Sequence, residues 1–182
     1  AVHQGLALEV EPLVEPDIED LLRRAETAAG RNILVALDQV ADPHNVGAVL
    51  RSAAAFGAGA VLIPAHSAPP VGGALAKSAS GALERVPLIR VVNLARALDR
   101  LKQGQFWVCG LEETAAQPLS ALDLGRRVAI VLGSEGRGMR RLVRERCDYL
   151  ARLPTLAAQP TLNVSNAVAV ALYELVRLAA PG

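Results

Sequence analysis

The stretch NILVALDQVADPHNVGAVLRSAAAFGAGAVLIP, residues 32–64, decides how the chain folds. It opens on the apolar run NILVALD (32–38), turns through Asp42-Pro43-His44-Asn45, continues as a helical pattern over 45–57 and closes on a second apolar run, AVLIP (60–64). Runs that are apolar throughout, rather than at alternate positions, mark strands covered on both faces, as in a parallel sheet. In this reading Asn45 caps the helix, because its short side chain can satisfy a free backbone N–H at the first turn.

Outward from this unit the alternation continues. Strand signals recur at 86–92, 106–111 and 127–133, and helical patterns at 72–83, 93–103, 138–147 and 163–179. A further helix, 17–29, opens with Pro16 and acids and closes at Gly30. The pattern predicts an α/β fold, a mostly parallel sheet flanked by helices.

At 182 residues and 52% hydrophobic content the chain is of single-domain size and far from the composition of disordered segments. Its longest apolar runs fall short of the ~20 residues of a membrane span, and the amino terminus carries no secretory pattern. Cys109 and Cys147 have no metal or redox spacing, so two reduced thiols and a cytoplasmic location are expected. Asn163-Val164-Ser165 fits a glycosylation acceptor, which matters only in a secreted chain. The net charge of +1 conceals an acidic lead-in, with Glu9, Glu11, Glu15, Asp17, Glu19 and Asp20 unrelieved by any base, ahead of a basic body. A basic body suits a polyanionic partner.

In open α/β sheets ligands bind beyond the carboxyl ends of the strands, and three of the loops there carry unusual chemistry. In the first, Arg51 sits among Val49, Leu50, Ala53 and Ala54. Two readings stand: a solvated helix face, or a guanidinium aimed into a cleft to hold a phosphate or a hydroxyl. In the second, the strand ending at Leu132 runs into Gly133-Ser134-Glu135-Gly136-Arg137-Gly138, where glycines allow a sharp turn and close approach to a ligand. The loop is neither a P-loop nor GxGxxG. The helix expected after it would set Arg137, Arg140, Arg141 and Arg144 on one basic stripe, suited to a nucleic-acid backbone or to solvent. In the third, Asn163, Ser165 and Asn166 crowd the start of the last helix, where one cap would suffice.

Together, in this order, these segments resemble the three motifs of the SpoU-type (TrmH-like) RNA 2′-O-ribose methyltransferases of the SPOUT superfamily. The first motif is matched by Asp42-Pro43-His44-Asn45-Val46-Gly47 with Arg51, the second by Leu132-Gly133-Ser134-Glu135-Gly136 with Gly138, and the third by Leu162-Asn163-Val164-Ser165. Ser80-Gly81-Ala82, Glu84, Pro87 and Asn93-Leu94 are similar to the family's middle section. The similarity spans roughly residues 33–178 and is greatest to the branch that methylates guanosine of 23S ribosomal RNA.

The resemblance implies a deep trefoil knot at the carboxyl end, a homodimer, and S-adenosylmethionine as cofactor. Cofactor contacts are implied at Leu132, Gly133, Leu153 and Leu162, with Gly110 and Leu111 bordering the adenine. It implies Arg51 as the activating residue, with Asn45, Glu135 and Ser165 positioning ribose, phosphate or Arg51 itself. Asn166, Arg137, Arg140 and Arg141 are then the residues that meet the RNA substrate. No metal is required, since an activated sulfonium methyl needs only an aligned nucleophile. Residues 1–30 are expected to be a linker and lead-in helix after a separate RNA-binding domain, and 31–182 the catalytic domain. The alternatives are a transfer-RNA ribose methyltransferase and a non-catalytic RNA-binding ribosome-assembly factor on the same fold.

Overall fold

The parallel crossing over 32–64 is the seed of the structure. In the computed structural model, which describes residues 16–156 and 161–179, Asn32–Asp38 forms β1 and Ala60–Pro64 forms β2, paired in parallel with Val35 beside Val61. Helix α2, Pro43–Ala55, bridges them. Its cap is Asp42, whose side chain accepts from the His44 N–H, with Pro43 at the first helical position. Asn45 therefore lies inside the first turn and its side chain is free for other work. Pro43 removes an N–H that would have had no partner, which lets the helix start two residues earlier than expected.

The remaining elements are α1 (Ile18–Thr27), α3 (Gly73–Ala79), β3 (Leu88–Val91), α4 (Leu94–Gln103), β4 (Trp107–Leu111), β5 (Gln117–Pro118), β6 (Arg127–Gly133), α5 (Arg141–Arg144), β7 (Tyr149–Arg152) and α6 (Val164–Ala179). Every strand pairing is parallel, in the order β3-β2-β1-β6-β4-β7-β5. The chain winds outward from β1 through β2 to β3, crosses to β4, then returns to insert β6 between β1 and β4. β6 is paired along its whole length, from Asn32 beside Arg127 to Asp38 beside Gly133. The switch in winding direction falls at the carboxyl ends of β1 and β6, where such sheets place their ligand sites.

Alternate residues of the central strands feed two cores. Ile33, Val35 and Leu37 of β1 with Val128, Ile130 and Leu132 of β6 pack under Val46, Val49, Leu50 and Ala53 of α2, Leu75 of α3 and Val168, Leu172 and Leu175 of α6. Leu34 and Ala36 with Ala129 and Val131 pack under Leu21, Leu22 and Ala25 of α1 and Leu94, Leu98 and Leu101 of α4. Truncating one of the fully buried leucines, such as Leu50, costs about 2–5 kcal/mol. Helices α2 and α3 approach closely because residue 47 is glycine: a Cβ there would lie 2.8 Å from the backbone nitrogen of Ala79. The Ser78 hydroxyl donates to the His44 carbonyl at 3.1 Å across the same contact.

Two helices are shorter than their patterns suggested. The 72–83 pattern ends at Ala79, where Ser80 and Gly81 both take positive φ. The 138–147 pattern yields only the four-residue α5, because Gly138 has φ +65 and Arg140 is extended. The expected arginine stripe is consequently absent: Arg137 lies in the glycine loop, Arg140 is tied to Asp38, Arg141 pairs with Glu145 and Arg144 with Glu112. Strands β5 and β7 carry no apolar run of their own and went unforeseen. The proposed linker over residues 1–15 lies outside the described residues.

Candidate active site

Strand β6 ends at Gly133, and the chain then doubles back in a tight loop. Ser134 and Gly138 form an antiparallel bridge, with the Gly138 N–H donating to the Ser134 carbonyl at 2.8 Å. Only glycine fits at position 133, since a Cβ would overlap the carbonyl of Gly138 and the nitrogen of Met139. Gly136 and Gly138 supply the positive φ values that complete the turn.

This loop forms one wall of a cavity of about 400 Å³. The floor is made by the strand ends Leu111, Leu132 and Gly133, and further walls by Leu153, Leu162, Val164 and Ala167, with Glu113, Glu135, Thr155 and Thr161 supplying polar groups. Leu132, Gly133, Leu153 and Leu162 thus line one space, as does Leu111. Gly110 does not: it sits within β4, where an added Cβ would meet Met139, Cys147 and Leu150. It faces the layer below because successive strand residues point to opposite sides, and Leu111 takes the lining position.

At the rim, one side chain joins all three motif segments. Asn163 Nδ2 donates to Glu135 Oε1 at 2.6 Å and to Asn45 Oδ1 at 3.1 Å. Asn163 Oδ1 accepts from the Ser165 N–H at 2.9 Å and from the Ser165 hydroxyl at 2.6 Å, which caps the start of α6. Both ends of the amide are therefore fully employed. The Ser165 hydroxyl gives its proton to Asn163, which leaves its lone pairs to act as an acceptor. Asn166 is exposed on the next position of the helix.

Arg51 is farther along α2, exposed, and opens into a second cavity of about 660 Å³ with Ser52, Phe56, Ser80 and Arg85. Arg51 is exposed and also borders this groove, so both of its readings stand, and the groove is separate from the first cavity. Among the described residues, no carboxylate lines it. Arg137, by contrast, lines the first cavity. Arg140 and Arg141 border a third, smaller hollow beside Asn93.

Two thiols lie under this site. Burial pushes Cys109 up to about 12, and the same cause takes Cys147 to about 12, so neither is a thiolate nucleophile at neutral pH. Asp38, Glu113 and Arg85 belong to none of the three motif segments. An acid ending an otherwise apolar strand, as in NILVALD, was the available sign for Asp38.

The SpoU rRNA Methylase family profile matches residues 32–173. The chain is 46% identical to a 23S rRNA (guanosine-2′-O-)-methyltransferase RlmB of Pseudomonas aeruginosa, covering 99% of this chain and 73% of that protein. It is 48% identical to the protein of the same name from Xylella fastidiosa, covering 96% of this chain and 70% of the relative. Among solved structures, the SpoU methyltransferase AviRb from Streptomyces viridochromogenes in complex with the cofactor AdoMet superposes with a TM-score of 0.76 at 26% identity, over 83% of this chain and 59% of that one. With its motif segments gathered at one rim and its profile matched over most of its length, the chain belongs to the SpoU rRNA methylase family.

Proposed function

We propose that the chain transfers a methyl group from S-adenosylmethionine to a ribose 2′-hydroxyl of structured RNA, with guanosine of 23S ribosomal RNA as the target. The observation that carries this reading is the junction of Asn45, Glu135 and Ser165 through Asn163, at the mouth of a cavity sized for a nucleoside. The residues present suit the cofactor: leucine, valine and alanine side chains offer an apolar platform for a purine. The glycine loop brings backbone close, and Glu113 and Glu135 offer negative charge toward a cationic amino-acid end. Leu132, Gly133, Leu153 and Leu162 would hold it. When bound, it supplies a methyl group on a sulfonium, activated enough to need only an aligned nucleophile.

The chain's own part is positioning. Ser165 presents an acceptor to a hydroxyl, Glu135 is held in place by Asn163, and Arg51, brought up by a second copy, would grip a phosphate of the same nucleotide. A guanidinium is a poor proton acceptor, so Arg51 would serve by orienting the substrate phosphate that takes the 2′-hydroxyl proton.

The reading includes a homodimer and a trefoil knot. The dimer is supported by the outward face of α6, where Val170, Tyr173 and Val176 are exposed and Phe56 of α2 stacks edge-on against Tyr173 at 6.3 Å. It is supported too by the separation of Arg51 from the first cavity within one chain, which a second copy would close. The knot is supported by the path after β6, which adds β7 outside β4 and then sends α6 back against α2. A cytoplasmic setting accords with two free cysteines.

The test is methyl transfer from labelled S-adenosylmethionine to 23S ribosomal RNA and to transfer RNA. Label on a ribose 2′-oxygen of 23S guanosine is expected, and cofactor binding without transfer to any RNA overturns the reading.

A further inference from the structure

Asp38 is the only charged side chain fully buried among the described residues. It ends β1, directly beside Gly133, the root of the glycine loop. Its Oδ2 accepts from the backbone N–H of Arg140 at 2.7 Å, and its Oδ1 takes the same arginine's Nε at 2.8 Å and Nη2 at 2.7 Å. One carboxylate therefore stands next to the loop's entry and grips its exit. Burying a charge is costly unless it is paired and hydrogen-bonded, and a neutral backbone contact would have sufficed to turn the chain, as at Ser134 and Gly138. The forked, charge-assisted contact adds a fixed orientation.

Neither residue lines the cavity, but Gly136, Arg137, Gly138 and Met139, the residues strung between them, do. The loop is tethered at the rim as well, where Glu135 accepts from Asn163 and from the Val164 N–H. We infer that Asp38 and Arg140 are positioning residues that set the shape of the cofactor-binding wall, and that Arg140 is not an RNA contact. This rests on reading the first cavity as the cofactor site.

The experiment measures S-adenosylmethionine dissociation constants by calorimetry, with steady-state kinetics on RNA, for the full protein and for Arg140→Lys, Arg140→Ala, Asp38→Asn and the double variant Asp38→Asn/Arg140→Ala. The dissociation constant should rise about tenfold for Arg140→Ala, less for Arg140→Lys, while kcat at saturating cofactor and KM for RNA stay within about threefold. Asp38→Asn should add little to Arg140→Ala, since both break the same ion pair. If Asp38→Asn does not fold, the two Arg140 variants, which keep the backbone donor, decide the matter. Unchanged cofactor affinity across the series, whatever the melting temperature does, overturns the inference, and so does a raised KM for RNA at unchanged affinity. Failure of the unaltered protein to bind the cofactor would instead remove the functional reading beneath it.

Discussion

The amide of Asn163 donates to Glu135 at 2.6 Å, and through that bond the start of the last helix is fastened to the tip of the glycine loop. The same side chain caps α6 through Ser165. Cap and rim are one group, yet its two ends can be separated chemically. Asn163→Asp keeps the oxygen that accepts from Ser165 but loses the donor and sets a second carboxylate against Glu135.

Asn163→Asp should therefore leave the helix cap largely intact while lowering methyl transfer by about 10²-fold, because the rim residues lose their common anchor. Asn163→Ala should show the same loss of transfer and, in addition, about 1 kcal/mol less stability. Thermal denaturation beside single-turnover kinetics separates the two. Equal activity in all three proteins would reduce Asn163 to a cap.

Gly47→Ala tests the approach of α2 to α3. The added methyl meets the backbone nitrogen of Ala79, which cannot swing away as a side chain would. A loss of about 1–3 kcal/mol is expected by calorimetry. Because α3 leads into the turn that lines the Arg51 groove, KM for RNA should rise with it.

The buried Cys109 and the half-buried Cys147 give an alkaline signature. Cys109 and Cys147 are raised from the ordinary 9.0 to about 12, chiefly by burial. Above 9 the unfolded chain sheds those protons and the folded chain keeps them, so unfolding is favoured as pH climbs toward 12. Stability from this source is complete below 9. Melting temperature followed up through pH 9 should fall less steeply in a Cys109→Ala/Cys147→Ala protein than in the unaltered one, and parallel slopes would count against the burial.

Much of this was legible in the residues. The runs at 32–38, 60–64 and 127–133 became β1, β2 and β6 over their full extent, because strands buried on both faces are apolar at every position. Tyr149–Arg152 left no such mark, since an outer strand borrows its register from β4 and needs little apolar content of its own. The arginine stripe failed for a long-range reason. Spacing placed Arg137 to Arg144 on one helix, but Asp38, a hundred residues earlier in the chain, holds Arg140 extended and delays the helix start. Helical period is a local signal and cannot register a partner brought in by the sheet. Asn45 is not the cap its position suggests, for a related reason: Asp42 does that work, which frees Asn45 to meet Asn163.

The most direct test of the account is methyl transfer to 23S ribosomal RNA, with the modified nucleotide mapped, for the unaltered protein and for Arg51→Ala. Arg51 lies outside the first cavity, so the variant should bind S-adenosylmethionine as the parent does. Its transfer to the guanosine 2′-oxygen should fall by at least about 10²-fold. Undiminished transfer by Arg51→Ala, or no ribose methylation of RNA by the parent, would contradict it.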